Sequence, residues 1–93
     1  MAKSSEEMIA DFTEKNAQWA REGDSLVANL EFKDFAEAMS FVNLVAAKAE
    51  EVDHHPDIDI RWNKVRLTLS THSEGGITKK DLDFARQIVS ASK

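Results

Sequence analysis

The residue types best suited to moving protons in this sequence are three histidines. His54 and His55 are adjacent and directly precede Pro56, the only proline. His72, the third and last histidine, completes a window of nineteen residues. Because imidazole gains and loses a proton near neutral pH, histidines can act as acids or bases in catalysis. The cluster therefore predicts a proton-transfer site, although exposed histidines after a helix are also a common surface feature.

Carboxylates surround the adjacent histidines, with Glu50 and Asp53 before them and Asp57 after them. A carboxylate that accepts a hydrogen bond from an imidazole orients the ring. A metal site formed by His54, His72 and an aspartate is a competing hypothesis. Structural zinc sites, however, normally have four ligands at motif spacing, and the sequence contains neither such a motif nor a cysteine. We therefore predict no metal.

An antiparallel hairpin is the element expected to bring the histidines together. Apolar and polar residues alternate over 57–62 and again over 65–72, with Asn63-Lys64 between them as the predicted two-residue turn. Since the start of one strand lies beside the end of its partner, this pairing places His55 opposite His72. His72 should then lie at the end of its strand, on the face away from the core or at the rim of the sheet.

Periodicity over the rest of the chain predicts a two-layer α+β fold. The predicted elements are, in order, a helix over 5–16, two strands around a turn at 22–24, a helix over 35–51, the hairpin, and a final helix after Thr78. Hairpins on both sides of a helix predict a four-stranded antiparallel sheet with the helices packed on one face. The expected order is α-β-β-α-β-β-α.

Three sites have the residue types of helix N-caps. Ser4 followed by Glu7, and Thr78 followed by Asp81, have the spacing of capping boxes. Asp34 directly precedes the longest helix and is suited to cap it. In this position Asp81 can simply accept hydrogen bonds from the amides at the start of the last helix.

The longest helix has more apolar surface than one sheet requires. Its core-facing stripe is predicted to comprise Phe35, Ala38, Met39, Val42, Val45, Ala46 and Ala49. Phe41, Leu44 and Ala47 form a second stripe beside it. The helix is either sunk deeply in its own core or packed against another subunit. The small size of the domain favours an oligomer.

Length and composition limit the class of protein. The 93 residues predict a single domain over 1–93. The formal net charge of −5 disfavours a nucleic-acid partner, which would need a basic face. No apolar run approaches the roughly 20 residues that a membrane-spanning helix needs. The N-terminus lacks the apolar segment of a secretory signal, so a cytoplasmic location is expected.

Four short motifs together resemble one known family. They are Glu50-x-x-x-His54-His55-Pro56, Trp62-Asn63-Lys64-Val65, Leu69-Ser70-Thr71-His72 and Gly76-Ile77-Thr78-x-x-Asp81. In this combination the chain resembles the pterin-4a-carbinolamine dehydratase family. The resemblance implies the fold predicted above, with dimers joined through sheet edges and tetramers paired through the long helix. It also implies dehydration of 4a-hydroxytetrahydropterin to quinonoid dihydropterin, with pterin as the substrate and no metal or organic cofactor.

The resemblance also implies roles for particular residues. The family's three active-site histidines fall on His54, His55 and His72. Its pterin-contacting segments fall on His54, His55, Pro56, Thr71, His72, Ser73 and Glu74. The hypothesis is that His54 and His72 share the acid and base roles, while His55 binds and orients the pterin. Glu50, Asp53, Asp57 and Asp81 are candidates to support them.

Two other functions are compatible with the resemblance. Animal members of the family also act as dimerisation cofactors of transcription factors, so this chain could be a non-catalytic binding module of the coactivator type. It could also keep the pterin site but serve molybdopterin metabolism. The intact set of three histidines favours the enzyme, since a pure scaffold has no need for it.

Overall fold

The computed structural model describes residues 2–91, with side chains described through Ile88. Its elements are α1 (Glu6–Lys15), β1 (Trp19–Glu22), β2 (Ser25–Glu31), α2 (Phe35–Val52), β3 (Asp57–Arg61), β4 (Lys64–Leu69), a short 3-10 helix (His72–Glu74) and α3 (Lys79–Ala91). The α-β-β-α-β-β-α order predicted from periodicity is confirmed.

The four strands form one antiparallel sheet in the order β1-β2-β4-β3. Apolar side chains from one face of the sheet and from all three helices form a single core. This core includes Trp19, Leu26, Leu67 and Leu69 from the sheet and Ile9, Phe12, Phe41, Val45, Leu82 and Ile88 from the helices. The predicted two-layer α+β arrangement is therefore confirmed.

The turn of the second hairpin lies one residue earlier than predicted. It is formed by Trp62 and Asn63, so that Ile58 pairs with Leu67 instead of Leu69. Trp62 adopts a left-handed conformation with φ 52°, which is uncommon for a bulky residue and is not indicated by the sequence. The predicted pairing of His55 with His72 is wrong, because this register carries position 55 toward 70 instead.

The N-cap of α1 also differs from the prediction. Ser5, not Ser4, accepts a hydrogen bond from the amide of Met8, at 3.1 Å. Ser4 instead donates its amide to the carbonyl of Ile77 at 2.8 Å, as part of an extended segment that runs beside the start of α3. Ser4 therefore cannot act as the cap, because pairing with a distant segment holds it outside the helix.

The long helix α2 begins as predicted, with Asp34 accepting from the amide of Glu37 at 2.8 Å. Its buried side differs in part from the predicted stripes. Phe41 lies in the core, where its ring packs 5.0 Å from that of Phe32. Phe35 and Ala46, predicted to face the core, are exposed. Leu44 and Ala47 remain exposed, so the second stripe is narrower than expected.

Within residues 2–91, no helix combines the length and apolar character needed to cross a membrane.

Candidate active site

His54 is positioned by the end of α2. Asp53 adopts a left-handed conformation and donates its amide to the carbonyl of Ala49. The amide of His54 also donates to this carbonyl, at 3.1 Å. A left-handed residue after a helix ends it and turns the chain sharply. The turn directs His54 inward, where its side chain is only 11% exposed.

His54 contacts α3 through a buried carboxylate. Its Nε2 lies 2.5 Å from Oδ1 of Asp81, whose side chain is completely buried. The ring of Phe84, one turn further along α3, stands edge-on to the imidazole with 6.3 Å between the centroids. The imidazole is therefore held both by a hydrogen bond and by aromatic packing.

The second oxygen of Asp81 is also fully used. Oδ2 accepts from the hydroxyl of Thr71 at 2.8 Å and from the amide of Thr78 at 2.9 Å. The two threonine hydroxyls lie 2.7 Å apart. These four residues, His54, Thr71, Thr78 and Asp81, form what we call the buried polar network. It joins the end of α2, the segment after β4 and the start of α3.

The capping predicted for α3 at Thr78 and Asp81 is confirmed. Thr78 Oγ1 accepts from the amide of Lys80 at 3.2 Å, while Asp81 accepts from the amide of Thr78 in return. The start of a helix favours a negative charge, so a carboxylate is well placed there. Thr78 was predicted as a cap of α3 but not as a site residue. Its capping position is the feature of the sequence that could have identified it.

His72 directly follows Thr71, one member of the buried polar network. Strand β4 ends at Leu69, and Thr71 pairs with Gly76 in an isolated bridge that encloses the 3-10 helix beginning at His72. The side chain of His72 is exposed. The prediction that His72 closes the strand was therefore wrong: the chain has already left the sheet and curled into a tight turn.

His55 forms a separate pair with Glu50, in which Nε2 and Oε2 lie 2.5 Å apart. Both side chains are largely exposed, 55% for His55 and 78% for Glu50. Asp53 and Asp57, the other predicted supporting carboxylates, are exposed, and neither is hydrogen-bonded to a histidine within the described part of the chain.

The predicted site residues therefore separate into three groups. His54, Thr71 and Asp81 are joined by hydrogen bonds, and His55 is paired with Glu50. The remaining residues lie on the segments next to these groups: Pro56 and Glu74 are half-buried, whereas Asp53, Asp57, His72 and Ser73 are exposed.

A cavity of about 200 Å³ adjoins His54 on the side of α3. It is lined by Val52, His54, Lys80, Asp83, Phe84 and Gln87. Apart from His54, these residues were not predicted as site residues: Val52 ends α2, and the spacing of the other four on α3 is that of any helix. Over residues 2–91, no group of three or more His, Cys, Asp or Glu side chains is arranged to hold a metal ion.

Comparison with known proteins assigns the chain to a family. The model of the pterin 4 alpha carbinolamine dehydratase family matches residues 2–91, and the chain belongs to this family. A Thermomicrobium roseum protein with the provisional name pterin-4-alpha-carbinolamine dehydratase is 50% identical over 88 residues, which cover 95% of each sequence. A Mycobacteroides abscessus protein with the same provisional name is 57% identical over 70 residues, covering 75% of this chain and 74% of that protein.

Solved structures agree with this assignment. The crystal structure of a Brucella melitensis protein described as a transcriptional coactivator/pterin dehydratase has a TM-score of 0.92 and 30% identity, covering 98% of this chain and 99% of that one. A pterin dehydratase-like protein described as a RuBisCO assembly factor of the alpha-carboxysome has a TM-score of 0.69 and 24% identity, covering 81% and 89%. The second match supports the fold alone.

Proposed function

We propose that this protein dehydrates 4a-hydroxytetrahydropterin to quinonoid dihydropterin, in the cytoplasm, by histidine acid–base catalysis without a metal or organic cofactor. The observation that carries the proposal is the hydrogen bond between His54 and the completely buried Asp81, in a chain of the dehydratase family. Membership of the family supports the reaction class, and the reaction recycles the pterin after aromatic amino-acid hydroxylation.

The reaction removes one molecule of water and needs two proton transfers. A proton is delivered to the departing 4a-hydroxyl, and the proton on N5 of the pterin is removed as the new double bond forms. His54 and His72 share these roles in the proposal. His54 is only 11% exposed whereas His72 is exposed, so the two imidazoles approach the substrate from different surroundings, which supports a division of labour.

Binding of the pterin is assigned to the two segments that contain the histidines. Residues 54–56 form one wall and residues 71–74 the other, with Asp53 and Asp57 flanking the first. His55 orients the pterin, and Glu50 holds the ring of His55 through the hydrogen bond between them. An exposed, carboxylate-paired imidazole is suited to contact a polar heterocycle that enters from solvent.

Substitution of the two proposed acid–base residues tests the function. His54→Ala and His72→Ala should each lower kcat by about 10²- to 10⁴-fold, the usual contribution of a positioned general acid or base. The measurement is the rate of dehydration of a synthetic carbinolamine, after subtraction of the spontaneous reaction. His55→Ala should mainly raise KM.

Gln18→Ala, at an exposed position in the loop before β1, is a suitable control and should keep the wild-type rate. Wild-type rates for both His54→Ala and His72→Ala would contradict the catalytic assignment. A wild-type protein without activity would instead favour a binding role, such as the non-catalytic coactivator role or a function in molybdopterin metabolism.

We also propose that the protein is a homodimer or homotetramer. Strand β3 is an edge strand, and its inward-facing Ile58 and Ile60 remain 37% and 36% exposed. On α2, Leu44 is 53% exposed and borders a groove of about 640 Å³ between α2 and α3. Apolar groups on both elements support burial against further copies of the chain.

A further inference from the structure

Asp81 is a completely buried carboxylate whose two oxygens have different kinds of partner. Oδ2 accepts from two protein donors, the hydroxyl of Thr71 and the amide of Thr78. Oδ1 faces the imidazole of His54, with Nε2 at 2.5 Å. A carboxylate oxygen accepts hydrogen bonds, so the hydrogen between Oδ1 and the ring is assigned to Nε2 of His54.

The other ring nitrogen of His54, Nδ1, takes no part in this hydrogen bond and is available to exchange a proton. Within the described part of the chain, no protein group is hydrogen-bonded to Nδ1. From this geometry we infer that Asp81 is a positioning residue that keeps the hydrogen of neutral His54 on Nε2, so that Nδ1 is the atom that exchanges a proton with the substrate. This inference rests on the proposed function and specifies one atom within it.

The pair formed by His55 and Glu50 does not constrain its imidazole in the same way. Both side chains are largely exposed, so water competes for each hydrogen bond and screens the charge. Asp81, in contrast, has no access to water, and its position is set by Thr71 and Thr78 as well as by His54. The buried Asp81 therefore fixes the tautomer of His54, whereas His55, paired with the exposed Glu50, can adopt either tautomer.

The substitution Asp81→Asn should reverse the tautomer of His54. The amide of Thr78 is a fixed donor and still requires an acceptor at the position of Oδ2, so the oxygen of the new side chain should occupy that position. Its NH₂ group then faces His54 and donates to Nε2, which must lose its hydrogen to Nδ1. In Ser-His-Asp triads, the corresponding change from Asp to Asn produces the wrong tautomer and lowers kcat by about 10⁴-fold.

The decisive measurement is nitrogen-15 NMR of the imidazoles at alkaline pH, where both tautomers are neutral and distinguishable. Wild-type His54 should carry its hydrogen on Nε2, and Asp81→Asn should carry it on Nδ1. The variant should also lose about 10²- to 10⁴-fold in kcat while KM changes by less than about 3-fold, since the residue acts on a proton-transfer group and not on substrate contacts.

Thr78→Val is a matched control for a purely structural effect. It removes the hydroxyl that accepts from Lys80 and lies beside the hydroxyl of Thr71, but keeps the amide that donates to Asp81. The variant should unfold at a lower temperature than the wild type, while its His54 signals remain those of the Nε2 tautomer.

A wild-type spectrum with the hydrogen of His54 on Nδ1 would overturn the inference, and so would Asp81→Asn with unchanged His54 signals. If Asp81→Asn does not fold, the wild-type spectrum alone decides. Failure of the proposed function looks different: the wild type would lack dehydratase activity, whatever the tautomer of His54.

Discussion

Asn63 is hydrogen-bonded to Phe32, a residue far away in the sequence. Its Nδ2 donates to the carbonyl of Phe32 at 2.9 Å, and its own carbonyl accepts from the amide of Phe32 at 2.8 Å. These bonds tie the tip of the second hairpin to the end of β2. They help to explain why the turn includes Trp62, which adopts a left-handed conformation although it is bulky.

Asn63→Ala should lower the free energy of unfolding by about 1 kcal/mol. The substitution removes one partly buried hydrogen bond, and such bonds contribute about 0.5–1.5 kcal/mol each. Urea denaturation at fixed protein concentration measures the change. Asn43→Ala, on the exposed side of α2, is the matched control and should be neutral or slightly stabilising, because alanine is the better helix former. Equal destabilisation by both variants would contradict the role assigned to the Asn63 side chain.

At the scale of the element, the N-terminus of α1 shows how tertiary contacts choose between neighbouring residues. Two adjacent serines both have the side chain of an N-cap. The extended segment before the helix pairs with the start of α3, through the bridge between Lys3 and Thr78 and the hydrogen bond from Ser4 to Ile77. This pairing leaves Ser5 as the first residue free to cap the helix.

Substitution of each serine tests this choice. Ser5→Ala should lower the free energy of unfolding by about 1 kcal/mol, the typical cost of losing an N-cap side chain. Ser4→Ala should change it by less than about 0.5 kcal/mol, because Ser4 contributes its backbone amide and not its side chain. Thermal or urea unfolding of the two variants provides the comparison. A larger effect from Ser4→Ala would show that the cap lies one residue earlier.

At the scale of the whole molecule, large apolar side chains remain exposed on β3 and on α2. Ile58 and Ile60 lie on an edge strand, while Phe35 and Leu44 lie on α2. A chain of 93 residues buries a comparatively small share of its apolar surface when it folds alone. Association of copies would bury more of this surface, which is the physical basis of the proposed oligomer.

Leu44→Glu should reduce the mass of the assembly in solution without unfolding the subunit. The side chain of Leu44 is exposed in the single chain, so its replacement should change the stability of the subunit by less than about 0.5 kcal/mol. A charge buried between the α2 helices of two subunits would oppose their association. Light scattering measures the mass. As a control, Ala10→Glu adds the same charge at an exposed position of α1. An unchanged mass for Leu44→Glu would exclude this part of α2 from an interface between subunits.

Much of the fold could be predicted from the sequence because the relevant signals are local. The two-residue period over β2, β3 and β4 and the helical period over α2 depend only on which side of each element faces the core. The caps at Asp34 and Thr78 depend on residues three positions apart. The candidate histidines could likewise be named, because their chemistry is a property of the residue type.

The sequence by itself therefore determined the order of the elements, the antiparallel architecture and the set of candidate site residues. Only the tertiary structure decided the hairpin register, the choice of Ser5 as a cap, and the joining of His54, Thr71 and Asp81 in one network. Each of these depends on contacts between segments that are far apart in the chain. Such contacts leave no periodic pattern, because they are selected by the packing of the complete molecule.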